Sequence, residues 1–337
     1  MSVTSNEFKA GALATEKPES LSRDAFSRLL KNRAAVIGGI IIILLFLTAI
    51  FADQIASYHF ADGDLVKQNS VPQWLVNVFP MLKGYANLSG EFLFGADYLG
   101  RDLLSRVIYG ARISLTVALI GPIISLLIGV TYGCISGYFG GKVDNVMMRF
   151  VDIMYGFPGL LFIILLMAYF RTSVSNIEIG SAAYAIRQLD ESMGGLFFIF
   201  IGIGITSWMT MARLTRGQIL SIKQKEYVEA AHSIGASDLR IVFKHILPNI
   251  LGPLIVSETL AIPGYITTEA FLSYIGLGVN PPTPSWGSMI ADGARAIRGY
   301  PFQVLLPAFG LFITMFAFNF LGDGLRDAFD PKLRGRQ

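Results

Sequence analysis

The sequence predicts an all-α fold, a polytopic membrane helix bundle of six transmembrane helices. Both termini are placed in the cytoplasm (N-in/C-in), with a large outer loop after the first helix. Three observations predict this. The 337-residue chain is 53% hydrophobic and only 15% charged, where soluble domains carry about 25% charged residues; its mean hydropathy is +0.55. The apolar residues are clumped into runs near the ~20 residues that a helix needs to cross the hydrocarbon core. The basic residues gather on alternate loops. Composition also excludes classes. A single cysteine, Cys134, allows no disulfide framework or cysteine metal site. Three scattered histidines show no metal spacing, and no Gly-x-x-x-x-Gly-Lys-Ser/Thr stretch occurs, so the chain carries no P-loop of its own. A net charge of +3 gives no sign of nucleic-acid binding.

Residues 1–33 form a polar, cytoplasmic N-terminal segment with six Lys or Arg. The first apolar run, 34–52, has 19 residues without a charge. It starts too late and runs too long for a cleaved signal peptide, and reads as a signal anchor. Residues 53–112 form the outer loop, where Trp74, Pro72, Pro80 and several glycines suggest a folded cap. A five-helix core follows over 113–322. Its uncharged runs are 113–141 (29 residues), 153–170 (18), 192–212 (21) and 299–322 (24), with a further span over 246–273 interrupted by Glu258 and Glu269. A cytoplasmic tail, 323–337, ends the sequence.

The loops placed inside hold 18 Lys or Arg in 98 residues and those placed outside hold 9 in 115, the bias expected of cytoplasmic loops. The run "GVTYGCISGYFGG" is rich in small residues, which let membrane helices approach closely. "NPPTPSWG" reads as a rigid turn, with Trp286 either part of it or an interfacial anchor. Ionisable groups inside a membrane usually face the bundle interior or a water-filled path. Glu258 is therefore a candidate for a pore or a subunit interface, and Glu269 for an outer gate or polar cap. Asn319 and Asp152 read as helix–helix ties.

One charged loop, 213–249, stands between two spans. In "KEYVEAAHSIGA" the residues Tyr227, Ala230, Ala231 and Ile234 fall on one helical stripe, with Glu226, Glu229 and Ser233 on other faces. Gly235 is a stop, and Ser237 an N-cap for a second helix from Asp238. Such a short helix has three uses: lying on the membrane surface, packing on its own bundle, or entering a partner's groove. Periodicity leaves these open.

The spacing of Glu229, Ala230, Ala231, Gly235, Leu247 and Pro248 resembles the EAA loop of ABC importer permeases, with His245 where the motif has Ile. "FGADYLGRDLLSRVIYGARISL" (94–115) resembles the outer-loop signature of the C-type permease of oligopeptide and dipeptide importers, with Ala96 in place of threonine. "TEAFLSYIGLGVNPPTPSWGSMI" (268–290), "GDGLRDAFDPKLR" (322–334) and "GYFGGKVDNVMMR" (137–149) are similar to the same branch, whose 171–195 counterpart is shorter.

The resemblance implies a subunit of a bacterial inner-membrane importer, not an enzyme. It implies a related second permease, two ATPase subunits that bind ATP and Mg, an extracytoplasmic peptide-binding protein and surrounding lipid as partners. Residues 222–235 are then the coupling helix. Glu229 pairs with the ATPase, Ala230 and Ala231 permit close approach, and Gly235 allows the turn; Tyr227, Leu247 and Pro248 complete the surface. In the outer loop Asp97, Gly100, Arg101 and Asp102 either tie a turn or meet the binding protein. Oligopeptides are the expected cargo; dipeptides, nickel chelates and glutathione are the alternatives within this architecture. An ion-coupled secondary transporter is the alternative outside it, and needs broken helices with ionisable pairs, for which Glu258 is the one hint.

Overall fold

A computed structural model describes residues 21–84, 87–172 and 180–330. Lys9 and Lys17, part of the 171–195 loop and the last seven residues of the tail lie outside the described residues. Helix α1 (Leu21–Lys31) and α2 (Arg33–Ile50) meet at Asn32. The Asn32 side-chain oxygen accepts from the backbone N–H groups of Ala34 and Ala35 at 3.1 and 3.2 Å, so the chain can turn and restart as a helix. Ile37, Ile40, Ile43, Leu44, Leu47 and Ile50 of α2 are exposed. In a helix of membrane-spanning length they form a lipid-facing surface.

The 53–112 segment is folded, as its composition suggests. It holds a short helix α3 (Ala52–Ile55), a parallel pair β1 (Val71–Pro72) and β2 (Leu88–Ser89), and α4 (Gln73–Val78). The next helix, α5, begins at Leu103 and not at 113, so 103–112 are helix and not loop. The reason is local: the Asp102 carboxylate accepts from the Ser105 N–H at 2.8 Å, which caps the helix before its apolar run begins. Helix α5 ends at Phe139 after 37 residues, about 56 Å at 1.5 Å per residue.

Two more helices follow, α6 (Gly141–Tyr155) and α7 (Gly159–Thr172), bent by 73° at a break inside the third span expected over 153–170. Pro158 lies in the break; it lacks an N–H and disfavours helix in the residue before it. Among the described residues, five helices are long and apolar enough to cross a membrane, or six when this bent pair is one span. Helix α8 (Ala182–Ser192) occupies part of the 171–195 loop.

Helix α9 (Phe197–Ile222) continues ten residues past the expected end at 212. Its charges stay in the helix because they are paired. Arg213 bonds Asp152 at 2.5 Å, and Arg216 bonds both carboxylate oxygens of Asp144 at 2.6 Å. Asp152 is thus the helix–helix tie that was expected. The α5–α9 crossing is where the small residues act. A Cβ on Gly129 would lie 2.6 Å from the Met211 Cβ, and one on Gly133 would lie 2.5 Å from the Ala212 carbonyl oxygen. Only glycine allows backbones this close.

The remaining elements are α10 (Glu226–Ser233), α11 (Asp238–Ile241), α12 (Leu247–Tyr274), α13 (Trp286–Ala294) and α14 (Phe302–Phe329). Trp286 is 1% exposed, and its indole N–H donates to the Val107 carbonyl at 3.0 Å. It pins α13 to α5 and is no interfacial anchor. Asn319 lies exposed on α14.

Candidate functional site

The 213–249 loop folds as two short helices joined at Gly235. Helix α10 is favoured by Glu226 and Glu229 in its first turn and His232 in its last, which oppose the helix dipole. It ends because Gly235 sits at φ +80°, a left-handed conformation that side chains rarely adopt. Helix α11 starts at Asp238, as expected, after Ser237 in extended conformation. A wider π-helical turn, Val242–Ile246, leads into α12. It lies immediately before Leu247-Pro248, where proline has no N–H for a regular helical bond and its ring crowds the preceding turn. The Asn249 side chain donates to the His245 carbonyl at 2.7 Å.

The expected stripe of Tyr227, Ala230, Ala231 and Ile234 is divided. Ala231 is buried, together with Val228, against Tyr138, Ile219, Ile241 and Ile246 of the chain's own bundle. Tyr227, Ala230 and Ile234 face outward, and Ile234 is 85% exposed. Leu239 and Phe243 are exposed as well. Val228 takes the inward place, so a self-packed face and an exposed face lie on opposite sides of one helix. Glu229 is exposed on the outward side, and its carboxylate makes no salt bridge among the described residues. Leu247 packs partly on the same core, and Pro248 is exposed.

A polar hub fixes this loop to the end of α5. The Tyr138 hydroxyl donates to the Asp238 carboxylate at 2.7 Å and lies 3.1 Å from His232 Nε2. A phenol has one proton to give, so His232 Nε2–H must be the donor in the second bond. Lys223 donates to the Tyr138 carbonyl. Four residues from α5, the α9 end, α10 and α11 thereby meet at one point. None was assigned to a site from sequence: the partners are 85 to 100 positions apart, and no local spacing announces such a meeting.

At the opposite end, Asp97, Gly100, Arg101 and Asp102 close a tight turn. Asp97 accepts from the N–H groups of Leu99 and Arg101 and from Arg101 Nε, at 2.7–3.0 Å. Gly100 has φ +73°, and a Cβ there would lie 1.8 Å from the Asp64 carbonyl. Asp102 caps α5. Gln303 on α14 donates to the Ala96 carbonyl at 3.0 Å, which ties the turn to the bundle.

Glu258 and Glu269 lie inside the chain, 5% and 0% exposed. Ser125 and Tyr265 donate to Glu258 at 2.5 and 3.0 Å. Ser273 and Ser114 donate to Glu269 at 2.7 and 3.4 Å. Both carboxyls are therefore buried within this chain and tie α5 to α12. Hydroxyl donors at the right depth satisfy them, as burial of such groups demands.

Comparison with known proteins adds to this geometry. Residues 129–335 match the family described as binding-protein-dependent transport system inner membrane component, and residues 20–72 match the N-terminal TM domain of oligopeptide transport permease C. The chain is 42% identical to the oligopeptide transport system permease protein OppC of Bacillus subtilis, over 95% of this chain and 92% of that one. It is 40% identical to the dipeptide transport system permease protein DppC of the same organism, over 98% and 92%. It is 41% identical to OppC of Haemophilus influenzae, over 94% and 90%.

Proposed function

Because this chain belongs to the binding-protein-dependent transport system inner membrane components, and is a multi-pass permease subunit of an ABC importer in the cell membrane, we propose that it imports oligopeptides. A second, related permease forms the other half of the path. Two separate ATPase subunits bind ATP and Mg, and an extracytoplasmic binding protein delivers the peptide. The N-terminus and the 213–249 loop lie on the cytoplasmic side. The names of the relatives, which cover oligopeptide and dipeptide systems, support a peptide cargo, and the oligopeptide match over 20–72 supports the longer one.

The observation that carries the coupling role is the outward row of Tyr227, Ala230, Ile234, Leu239 and Phe243 on a loop whose other side is fixed to the bundle. An apolar row on a rigid base fits a groove on another protein. Glu229 supplies a charge at its edge. ATP shifts the importer between inward- and outward-open forms only if the ATPases bind it with different affinity in the two. The row is the surface through which that difference reaches the spans.

The test is Ile234→Asp in proteoliposomes holding the assembled importer. The side chain is exposed, so folding is retained. ATP-dependent uptake of a labelled tetrapeptide falls at least about tenfold, the equivalent of ~1.4 kcal/mol in docking, and the ATPase subunits no longer co-purify. Full uptake with bound ATPase overturns the docking role.

A further inference from the structure

The end of the bundle opposite the coupling loop holds a cavity of about 320 Å³. Its walls come from the 98–106 stretch, the end of α12, the proline loop at 281–283 and α13. Three guanidiniums line it, from Arg101, Arg106 and Arg295, against one lining carboxylate, Asp292. Arg101 and Arg106 are 5% and 3% exposed, and both turn to the same carboxylate behind the wall. Arg101 Nη2 lies 2.7 Å and Arg106 Nε 3.4 Å from Asp97 Oδ2. Arg101 Nη2 reaches Asp97 without hydrogen-bond alignment and is left with no hydrogen-bond partner. Arg295 is exposed and makes no salt bridge among the described residues.

With Asp97 and Asp292 both ionised, the cluster still carries one positive charge more than it has carboxylates. Burial pushes the Asp292 carboxyl toward its neutral form, against the pull of the arginines, which widens the excess. Buried charge is costly unless it is paired, so the cavity is suited to an anion. Guanidiniums hold carboxylates with two parallel N–H···O bonds.

We propose that this cavity receives the terminal carboxylate of a peptide as it enters the permease, an inference that rests on the peptide-import reading. The carboxylate is the one anionic group that every unmodified peptide carries, so it offers a handle independent of sequence. The volume suits the last one or two residues of a chain. The position fits transit. The cavity is bounded by Ser273–Gly276, at the end of α12. Two turns down the same helix, Thr268 and Gly264 line a second cleft of about 270 Å³ between α7, α9 and α12, with the hydroxyls of Thr206 and Ser207 in its walls. Positions 264, 268 and 275 fall within about 40° of one another at 100° per residue, so the two spaces lie in line.

The experiment uses the complete importer in proteoliposomes, with binding protein saturated by a labelled tetrapeptide as its free acid or as its C-terminal amide. Wild type imports the free acid at least about tenfold faster, and Arg295→Gln brings the two rates within about twofold, because a neutral amide forms no charge-assisted pair. Arg295→Lys, which keeps the charge without the fork, falls between them. Equal rates in wild type, or an unchanged ratio in Arg295→Gln, overturn the proposal. An equal loss of both rates in Arg295→Gln also overturns it and assigns Arg295 to docking of the binding protein. Should wild type import neither peptide with ATP present, the peptide-import reading itself fails, and this inference falls with it.

Discussion

The two ends of the molecule use charge in opposite ways. In the 97–106 stretch, Asp97, Arg101 and Arg106 are buried and paired with one another and with the backbone around them, Arg101 Nη2 alone of their buried polar atoms keeping no hydrogen-bond partner among the described residues. In the 213–249 loop, Glu226, Glu229 and Lys225 stand in solvent beside exposed Tyr227 and Ile234, over a small polar hub. The first arrangement holds this chain together. The second offers a surface that the chain itself does not use. Burial therefore separates charges that stabilise the fold from charges available to another protein, though both sets lie in charged loops of similar appearance.

This contrast sets an order of effects. The largest belongs to Asp97→Asn. Breaking a buried pair by removing one partner typically costs about 3–5 kcal/mol, and here two arginines lose their carboxylate. The purified importer should melt earlier, and protease should cut first in 53–102. If its stability stays at the wild-type level, the outer charges are not structural and the contrast breaks.

Gly235→Val comes next. A Cβ at 235 meets nothing within 4 Å, so the whole cost is backbone strain, about 1–2 kcal/mol for a left-handed residue. The protein should insert and assemble its spans normally, while ATP-driven uptake falls more than about tenfold because α10 can no longer turn into α11. Normal uptake by this variant would place the function elsewhere. Tyr138→Phe sharpens the comparison with the smallest change. It deletes one hydroxyl and leaves Asp238 and His232 without it, at about 1–3 kcal/mol. Uptake should drop about threefold, and hydrogen exchange should quicken in 226–241 but not in 95–105. Equal quickening at both ends would show that the hub and the outer turn are one cooperative unit.

Much of this was legible in the sequence. The uncharged runs marked the spans because a bilayer demands length and apolarity together. The glycines of the second run marked a close helix crossing, and Gly235 marked a stop. The outward and inward faces of α10 were not legible. A stripe shows that a helix has sides, but what covers each side depends on residues far away, here Tyr138 and Ile246. The same holds for the length of α9: Arg213 and Arg216 looked like the end of a span until Asp152 and Asp144 were found beside them. The start of α5 was a missed local signal, since Asp102 directly before Leu103-Leu104 is an N-cap visible in the sequence.

Helix α5 has Tyr138 near one end and Arg106 near the other, and its backbone lies directly on α9 through Gly129 and Gly133. With so little compressible side-chain matter between them, the two helices form a stiff crossing, which suits α5 to act as a lever under the proposed coupling role. Pivoting it by about 5° near its middle displaces each end of the ~56 Å rod by roughly 2.4 Å. Under the proposed coupling role, a stroke delivered at Tyr138 moves the arginine end in the opposite direction, and any bend at Pro122 subtracts from it.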